Sequence, residues 1–523
     1  MAVEVSSMFL IVIIIVMNTQ HTQSGDSIRP YNYSGYSLID AIPNNEENVK
    51  FLRHLDYSVN DNCLDFWLEP GAPFEPVDIL LHPEIKSTIM KEFRDRNITV
   101  KLITNNIAKS NEKEKFEINQ KRKQFDANCN KTKSGCALDF LNYNDLERIE
   151  SYVFKLSKNP KNVSSLKNLE VKLRVIGTTY ERRDIRMVSL RLKDGKKKRA
   201  IWIGCAVHAR EWISPAFCLY IIDSLIKTSR SILKNFDFFI VPISNPDGYT
   251  YSWTNTRFWR KNRSPNKLKV NSRTLSGQVC MGNPSYWNDQ LLDVIHRSPE
   301  DSLIHDFEPR SYGDYSSGHF SSLPQEIPEM CKHGTDVNRN YDSYWAKACG
   351  NDCKDVCSET YAGTGPFSEA ESRAIRGAIN WIKKHQEISA FLDIHSYGQM
   401  WLTPYGLEGK YSIHNKELQR VAKISTKALN NVYGTVYRYG TIFALIRYIV
   451  RGGSIDWADG KVKSQIKVIT YFFNINDKNF FRDVTFHFIF YYNYTGKHNI
   501  FIRLRASPFR GITGGISTAS KIH

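Results

Sequence analysis

The chain of 523 residues has only one long apolar run, Met8 to Met17 (MFLIVIIIVM). At about ten residues the run is too short to cross a bilayer, which excludes a multi-span membrane protein. Ten cysteines are too few for a disulfide scaffold of this length, although they suit an exported protein with a few bridges. Glycine (29) and proline (19) show no period or excess, so collagen-like and low-complexity readings fall. Charged residues stay at 24%, hydrophobic ones reach 41%, and the mean hydropathy is −0.42. That is a globular chain, long enough for two or three cores. Glutamate is wholly absent from residues 461 to 523.

The apolar run, followed by polar residues and a small Gly25, reads as the core of a secretory signal cleaved near Ser24. The rival reading is a buried N-terminal strand or helix. Glycosylation triplets at Asn32, Asn97, Asn130 and Asn162 agree with export.

Residues 30 to 105 alternate strand-like and helical pieces, a pattern expected of a small α+β unit. From Asn105 to Ser134 the chain is highly charged and reads as a linker or an exposed helix. Its centre, Lys121-Arg122-Lys123, would suit a trypsin-like protease; a solvated helix face explains it equally well. From Phe140 onward strands such as RAIWIGCAV and AFLDIH alternate with amphipathic helices. The expected fold is α/β, a mixed central sheet flanked by helices, with the active site at the strand ends. Two local expectations concern helix starts: an Asn opens the helix NDLERIESYVFKL, and Ser368 with Glu371 forms a capping box. The segment NPDGY is expected to turn.

His208 and Glu211 stand three apart just after RAIWIGCAV, where a sharp turn would bring an imidazole and a carboxylate onto one metal ion. The spacing alone is a weak signal, since His305/Glu308 and His414/Glu417 repeat it. Position at the mouth of a buried strand separates the first pair from the others. His395, at the end of AFLDIH, offers a third ligand, and two His with one Glu leave a zinc position open for water, as a catalytic site requires. Two satisfied core histidines are the alternative.

VHAREWISPA, NPDGY, TRFWRKNRS, TDVNRNY, CSETYAG, FLDIHSYGQ, YGTVYRYGTI and RGGSIDWADG, in this order, resemble the secreted zinc carboxypeptidases of the pancreatic A/B type. The likeness runs from about Phe140 to Gly460, and residues 30 to 120 resemble the propeptide of the same proenzymes. The resemblance implies one Zn²⁺ held by His208, Glu211 and His395, with Asp336 hydrogen-bonded to the far nitrogen of a ligating His. It implies that Asn338 and Arg339 hold the terminal carboxylate of a peptide and that Arg260 stabilises the oxyanion. Tyr448 would close over the bound end, and Arg210 would serve the neighbouring subsite. Ile455 would floor the side-chain pocket among Gly406, Phe443 and Val450, favouring apolar or aromatic termini, while Arg447 is a discordant charge beside it. Cys280 and Cys357 would form a disulfide. The implied partners are peptide C-termini and an activating trypsin-like protease, for a secreted monomer that binds neither nucleic acid nor membrane.

Two departures stand out. The family's general base is a Glu about fifteen residues after the Ile455 position, and Thr470 occupies that place here. Of the 30 residues from Tyr471 to Ile500, 21 are Phe, Tyr, Ile, Asn or Lys, so the tail reads either as an intron translated into the chain or as an alternative ending. The tail holds ten Lys or Arg against two Asp, so 10 − 2 = +8 of the net +17 arises there and does not signal nucleic-acid binding. The second departure is residues 283 to 334, which look inserted between Cys280-Met-Gly282 and Thr335-Asp336, as a surface loop or an error in the recorded sequence. The expected division is a signal (1–24), a propeptide (25–123), a catalytic domain (124–460) and an aberrant tail (461–523) that replaces the final strand and helix.

Overall fold

The computed structural model describes residues 33–58, 63–68, 70–130, 138–160, 166, 168–228, 230–267, 329–345, 354–462 and 466–472. The signal segment, Cys280 and most of the expected insert lie outside them.

The first unit is a four-stranded antiparallel sheet of order β2-β3-β1-β4. Its strands are β1 (Ser37–Ile42), β2 (Leu64–Phe66), β3 (Val77–Leu81) and β4 (Thr99–Thr104), with helices α1 (Glu46–Ser58) and α2 (Lys86–Asp95). Ile39, Ala41, Val77 and Ile79 share one core with Leu52 and Leu55 of α1 and Ile89 and Phe93 of α2. Alternation along β1 and the 3.6-residue repeat of the helices give each element one apolar side to bury there.

The charged stretch is a 23-residue helix, α3 (Ile107–Cys129), capped by the Asn106 side chain. It belongs to both halves of the protein, and Ile107 clusters with Tyr36, Leu38 and Leu80 of the first unit. Ile118 enters the main core, Arg122 pairs with Asp145 at 3.0 Å, and Asp126 receives both Nη1 and Nη2 of Arg148.

The larger unit is an eight-stranded mixed sheet of order β11-β10-β12-β9-β7-β8-β6-β5. It comprises β5 (Leu169–Thr178), β6 (Asp184–Leu192), β7 (Arg199–Cys205), β8 (Phe236–Val241), β9 (Ile388–Ser396), β10 (Met400–Thr403), β11 (Arg438–Thr441) and β12 (Ile466–Phe472). Helices α4 (Leu146–Lys158), α5 (Ile213–Thr228), α6 (Pro246–Thr254), α7 (Ala370–His385), α8 (Asn415–Tyr433) and α9 (Ser454–Val462) pack around it. The two-residue period of β7 sends Ile201, Ile203 and Cys205 to a core shared with α4 and α5, and Ala200 and Trp202 to a second core shared with α7. A sheet buried on both faces follows, as its unbroken apolar strands require.

Three local expectations are corrected. Asp145, not the preceding Asn, caps α4 by accepting from Arg148 N, while Asn144 bonds the carbonyls of Asp139 and Asn142. Ser368 does not cap α7: the N-cap is Glu369, which makes no side-chain cap bond, and Glu371 is buried against Asn262. NPDGY opens helix α6, because the Asn245 side chain accepts from Gly248 N and Pro246 fits the first turn.

The tail supplies strand β12, parallel to β9 and antiparallel to β10. Its sequence IKVITYF is β-branched and aromatic, which suits a central strand whatever its origin. Residues 329 to 334, placed in the insert from sequence, are integral to the fold: Asn266 N bonds Lys332 O, Lys261 Nζ bonds Met330 O, and Cys331 is disulfide-bonded to Cys357. The expected Cys280–Cys357 bridge is therefore replaced by Cys331–Cys357. A second disulfide, Cys205–Cys218, ties the end of β7 to α5.

Candidate metal centre

Strands β7 and β9 are parallel neighbours, with Cys205 opposite Ile394, so their carboxyl ends meet. The chain leaving β7 turns at once, Glu211 N bonding His208 O, and this brings the two side chains to one side. His395 is the penultimate residue of β9. The ligand atoms of His208, Glu211 and His395 all lie within 4.8 Å of one another, and all three residues are buried. Nδ1 of His208 is 2.7 Å from Glu211 Oε1, Nδ1 of His395 is 3.1 Å from Glu211 Oε2, and the two Nδ1 atoms are 3.1 Å apart.

The far ring nitrogens are engaged elsewhere. Nε2 of His208 lies 3.1 Å from Asp336 Oδ1; Nε2 of His395 lies 3.2 Å from Asn338 Nδ2 and 3.5 Å from Asp393 Oδ2. The Asp336 carboxylate behind His208 favours the tautomer whose Nδ1 lone pair faces Glu211 and the His395 ring. A buried set of converging lone pairs is costly unless a cation sits among them. Two imidazoles and one carboxylate are a zinc donor set, and the residues fit that ion.

The electrostatics agree. Burial disfavours ionisation of Glu211, yet the two imidazoles outweigh it and hold the carboxyl well below its usual range. For His395 burial opposes the charged form, but Glu211 and Asp393 prevail and push it up to about 10. Asp336 is held well below the usual carboxylate range despite burial, by Arg260, His208 and Arg339. The pocket attracts positive charge.

Around this centre stand the other expected residues. Nε and Nη2 of Arg260 donate to Asp336 Oδ2 at 3.2 and 2.9 Å, and Nη1 lies 4.0 Å from Glu211. Arg339 approaches the Tyr448 hydroxyl at 3.5 Å and Asp336 at 3.9 Å. Asn338 is less available than expected: its carboxamide oxygen accepts from Ser454 N, and its nitrogen faces His395. Ile455 is fully buried, clustered with Met400, Leu402, Ile442 and Val450. A Cβ at Gly406 would come within 2.7 Å of Val450, so glycine is required there. Arg447, in the left-handed region at φ 67°, is exposed; burial lowers the pKa of Arg53 in α1, and the Arg447 charge adds to that against the pull of Glu46. Arg210 Nη1 lies 3.3 Å from Asp65 and 3.6 Å from Glu359.

Sequence reasoning missed Asp393, Ser214 and Glu359. Asp393 stands two before His395, a spacing that puts both on one face of a strand, so that signal was readable. Ser214 bridges Ala206 N and Ile394 O, and nothing local announces it.

A profile described as zinc carboxypeptidase matches residues 161–489, more than half of the chain, and one described as carboxypeptidase activation peptide matches 39–114. The chain belongs to the zinc carboxypeptidase family and carries that family's activation domain. The match continues to residue 489, beyond the Gly460 at which the motif likeness ends. Mast cell carboxypeptidase A of Mus musculus is 29% identical over 466 residues, 86% of this chain and 88% of the relative. Carboxypeptidase B of Homo sapiens is 28% identical over 438 residues, covering 82% and 83%. The crystal structure of carboxypeptidase A from Helicoverpa armigera aligns with a TM-score of 0.61 at 22% identity, over 84% of this chain and 89% of that one, and shares the fold.

Proposed function

We propose that the protein is a secreted zinc carboxypeptidase, made as a proenzyme, that removes apolar or aromatic residues from peptide C-termini. The observation that carries this is the buried convergence of His208, Glu211 and His395 with Arg339 and apolar Ile455 nearby. His208, Glu211 and His395 would hold a zinc ion, which would supply Lewis acidity for a carbonyl and for a water molecule. Asp336 fixes the His208 tautomer. Arg339 grips the terminal carboxylate with two donors, and the Tyr448 hydroxyl closes beside it. Arg260 stabilises the oxyanion after turning from Asp336, and Arg210 binds the preceding residue. Ile455 gives the pocket an uncharged floor, while Arg447 is exposed on the side of the activation domain. A trypsin-like protease frees the catalytic unit by cutting near Lys123.

Purified chain lacking residues 1–24 should contain about one zinc, lost in His208→Ala and in His395→Ala. Metal analysis finding none in folded protein would overturn the site. After trypsin treatment, blocked dipeptides should release Phe faster than Lys; preferential release of Lys, Asp or Glu would overturn the specificity.

A second reading has its own support. β12 carries no Glu, and its register sets Thr470 opposite Ile394, one residue from the Tyr471–His395 pair. A chain without that carboxylate binds zinc and peptide C-termini while turning them over slowly, because general-base help contributes ~10²–10⁴ in rate.

A further inference from the structure

Two glycosylation triplets can be compared within the described residues. In Asn262-Arg263-Ser264 the first two residues are buried and the serine is half-buried. Asn262 is 1% exposed, its Nδ2 donates to Glu369 at 2.8 Å and Glu371 at 2.9 Å, and its Oδ1 accepts from Thr335 N at 2.8 Å. A glycan there would require the whole polar network to be dismantled. The triplets at Asn32, Asn130, Asn162 and Asn493 lie wholly or partly outside the described residues.

Asn97-Ile98-Thr99 has the opposite geometry. It spans the turn from α2 to β4, where Ile98 N bonds Phe93 O and the Ile98 side chain is 5% exposed in the core. Its two neighbours are both exposed. With Ile98 anchored inward, the acceptor amide and the hydroxyl of the triplet lie together on the solvent side. Asn97 uses its backbone for structure, N to Arg94 O at 2.9 Å and O from Asn44 Nδ2 at 3.2 Å. Its carboxamide has no hydrogen bond among the described residues. The backbone φ of 56° accounts for Asn at this position, since Asn tolerates the left-handed region, but it does not account for Thr two residues on.

We infer that Asn97 is a site of N-linked glycosylation, taking an oligosaccharide from a lipid diphosphate donor. The Asn97 Nδ2 attacks the anomeric carbon of the donor sugar, and a carbon–nitrogen bond forms as the carbon–oxygen bond to phosphate breaks. The lipid diphosphate leaves with the bonding pair, and the amide gives up one proton. A glycan there extends into solvent without displacing a buried group. It belongs to the activation domain and is shed with it, leaving the metal centre untouched. The inference rests on the reading of the chain as exported.

The test is translation of the full chain in the presence of endoplasmic-reticulum microsomes. The peptide from Asn97 to Lys101, released by trypsin after Arg96 and Lys101, is then read by mass after enzymatic deglycosylation, which leaves Asp at a formerly glycosylated Asn. Wild type and Thr99→Ser should show Asp at position 97, Thr99→Ala should show Asn, and Asn262 should be unmodified throughout. Protein shielded from added protease but bare at Asn97 overturns the inference and leaves export standing. A glycan on Asn262 with Asn97 bare overturns it as well. Protein that is not shielded overturns export and glycosylation together.

Discussion

Nη1 of Arg210, in the turn between His208 and Glu211, lies 3.3 Å from Oδ2 of Asp65 in the activation domain. The same guanidinium faces Glu359, so the activation domain adds a second carboxylate to an arginine of the catalytic unit that already has one. Both partners of the Asp65 pair are mostly covered. Arg339, by contrast, has Tyr448, Asn338 and Asp336 as its partners, all within the catalytic unit. The activation domain thus engages the Arg210 side of the cleft.

From this follows an expectation for the uncleaved chain. Asp65→Ala should tighten binding of a tripeptide ending in Phe by roughly fivefold, the equivalent of about 1 kcal/mol, which is the upper end for a partly exposed pair. Calorimetric titration of uncleaved protein measures it. Equal affinities in wild type and variant would mean that Asp65 does not compete for Arg210.

The basic triplet is less open to a protease than its charge implies. Arg122 sits within helix α3, paired with Asp145 and with its guanidinium 5.5 Å from the Trp253 ring centre. Cleavage needs an extended segment, so this helix must open locally first. Asp145→Asn keeps a good helix cap for α4 while removing the ion pair, and trypsin should cut it several-fold faster than wild type between residues 121 and 124. The half-time of the intact band on a gel reports this. An unchanged half-time would show that the ion pair does not hold the helix closed.

A third expectation concerns pH. Glu371 is buried; among the described residues its Oε1 has no hydrogen bond and Asn262 Nδ2 donates to Oε2, and burial, outweighing Asn262 and the Glu371 backbone N–H, pushes its pKa up to about 7. In the unfolded chain a Glu titrates near ~4.3. Because the folded state holds this proton more tightly, the contribution to stability is complete below about 4.3 and fades as pH rises through about 7. Glu371→Gln removes that dependence. Relative to wild type it should gain on the order of 3 kcal/mol between pH 4 and pH 8, read from urea midpoints at each pH. A difference that does not change with pH would place the titration elsewhere.

Legibility from sequence followed the range of the interactions. His208, Glu211 and His395 were readable because each follows a long apolar strand, and parallel strands bring such ends together. The two-faced burial of β7 was readable from its unbroken apolar run. The choice of Cys331 for Cys357 was not, because it depends on how residues 329 to 334 return against Pro265 and Asn266. Nor was the start of α7: Ser368 and Glu371 fit a capping pattern, but Asn340 and Asn262, far away in sequence, claim their side chains. The tail divides differently. Its Phe-, Tyr-, Asn- and Lys-rich stretch from Tyr471 to Ile500 lies outside the described residues after Phe472, while the β-branched and aromatic Ile466–Phe472 enters a central strand.

That strand carries the question of activity. β12 runs beside β9, the strand that ends in His395, and pairs Thr470 with Ile394 on one side and Trp401 on the other. The family's base is a Glu at this place in sequence, and the nearest carboxylates of the tail, Asp477 and Asp483, lie beyond the end of the strand. If the missing Glu is what limits the chain, Thr470→Glu should raise kcat on a blocked dipeptide ending in Phe by about 10² or more after trypsin treatment. Zinc content should not change, because the ligands are on other segments. A further change to Gln at the same position separates base from polarity: T470Q should stay at the wild-type rate. Wild-type protein that already turns over as fast as T470E would show that another group takes the proton. Equal and negligible rates in both, with zinc and peptide still bound, would instead trace the silence to the rest of the tail.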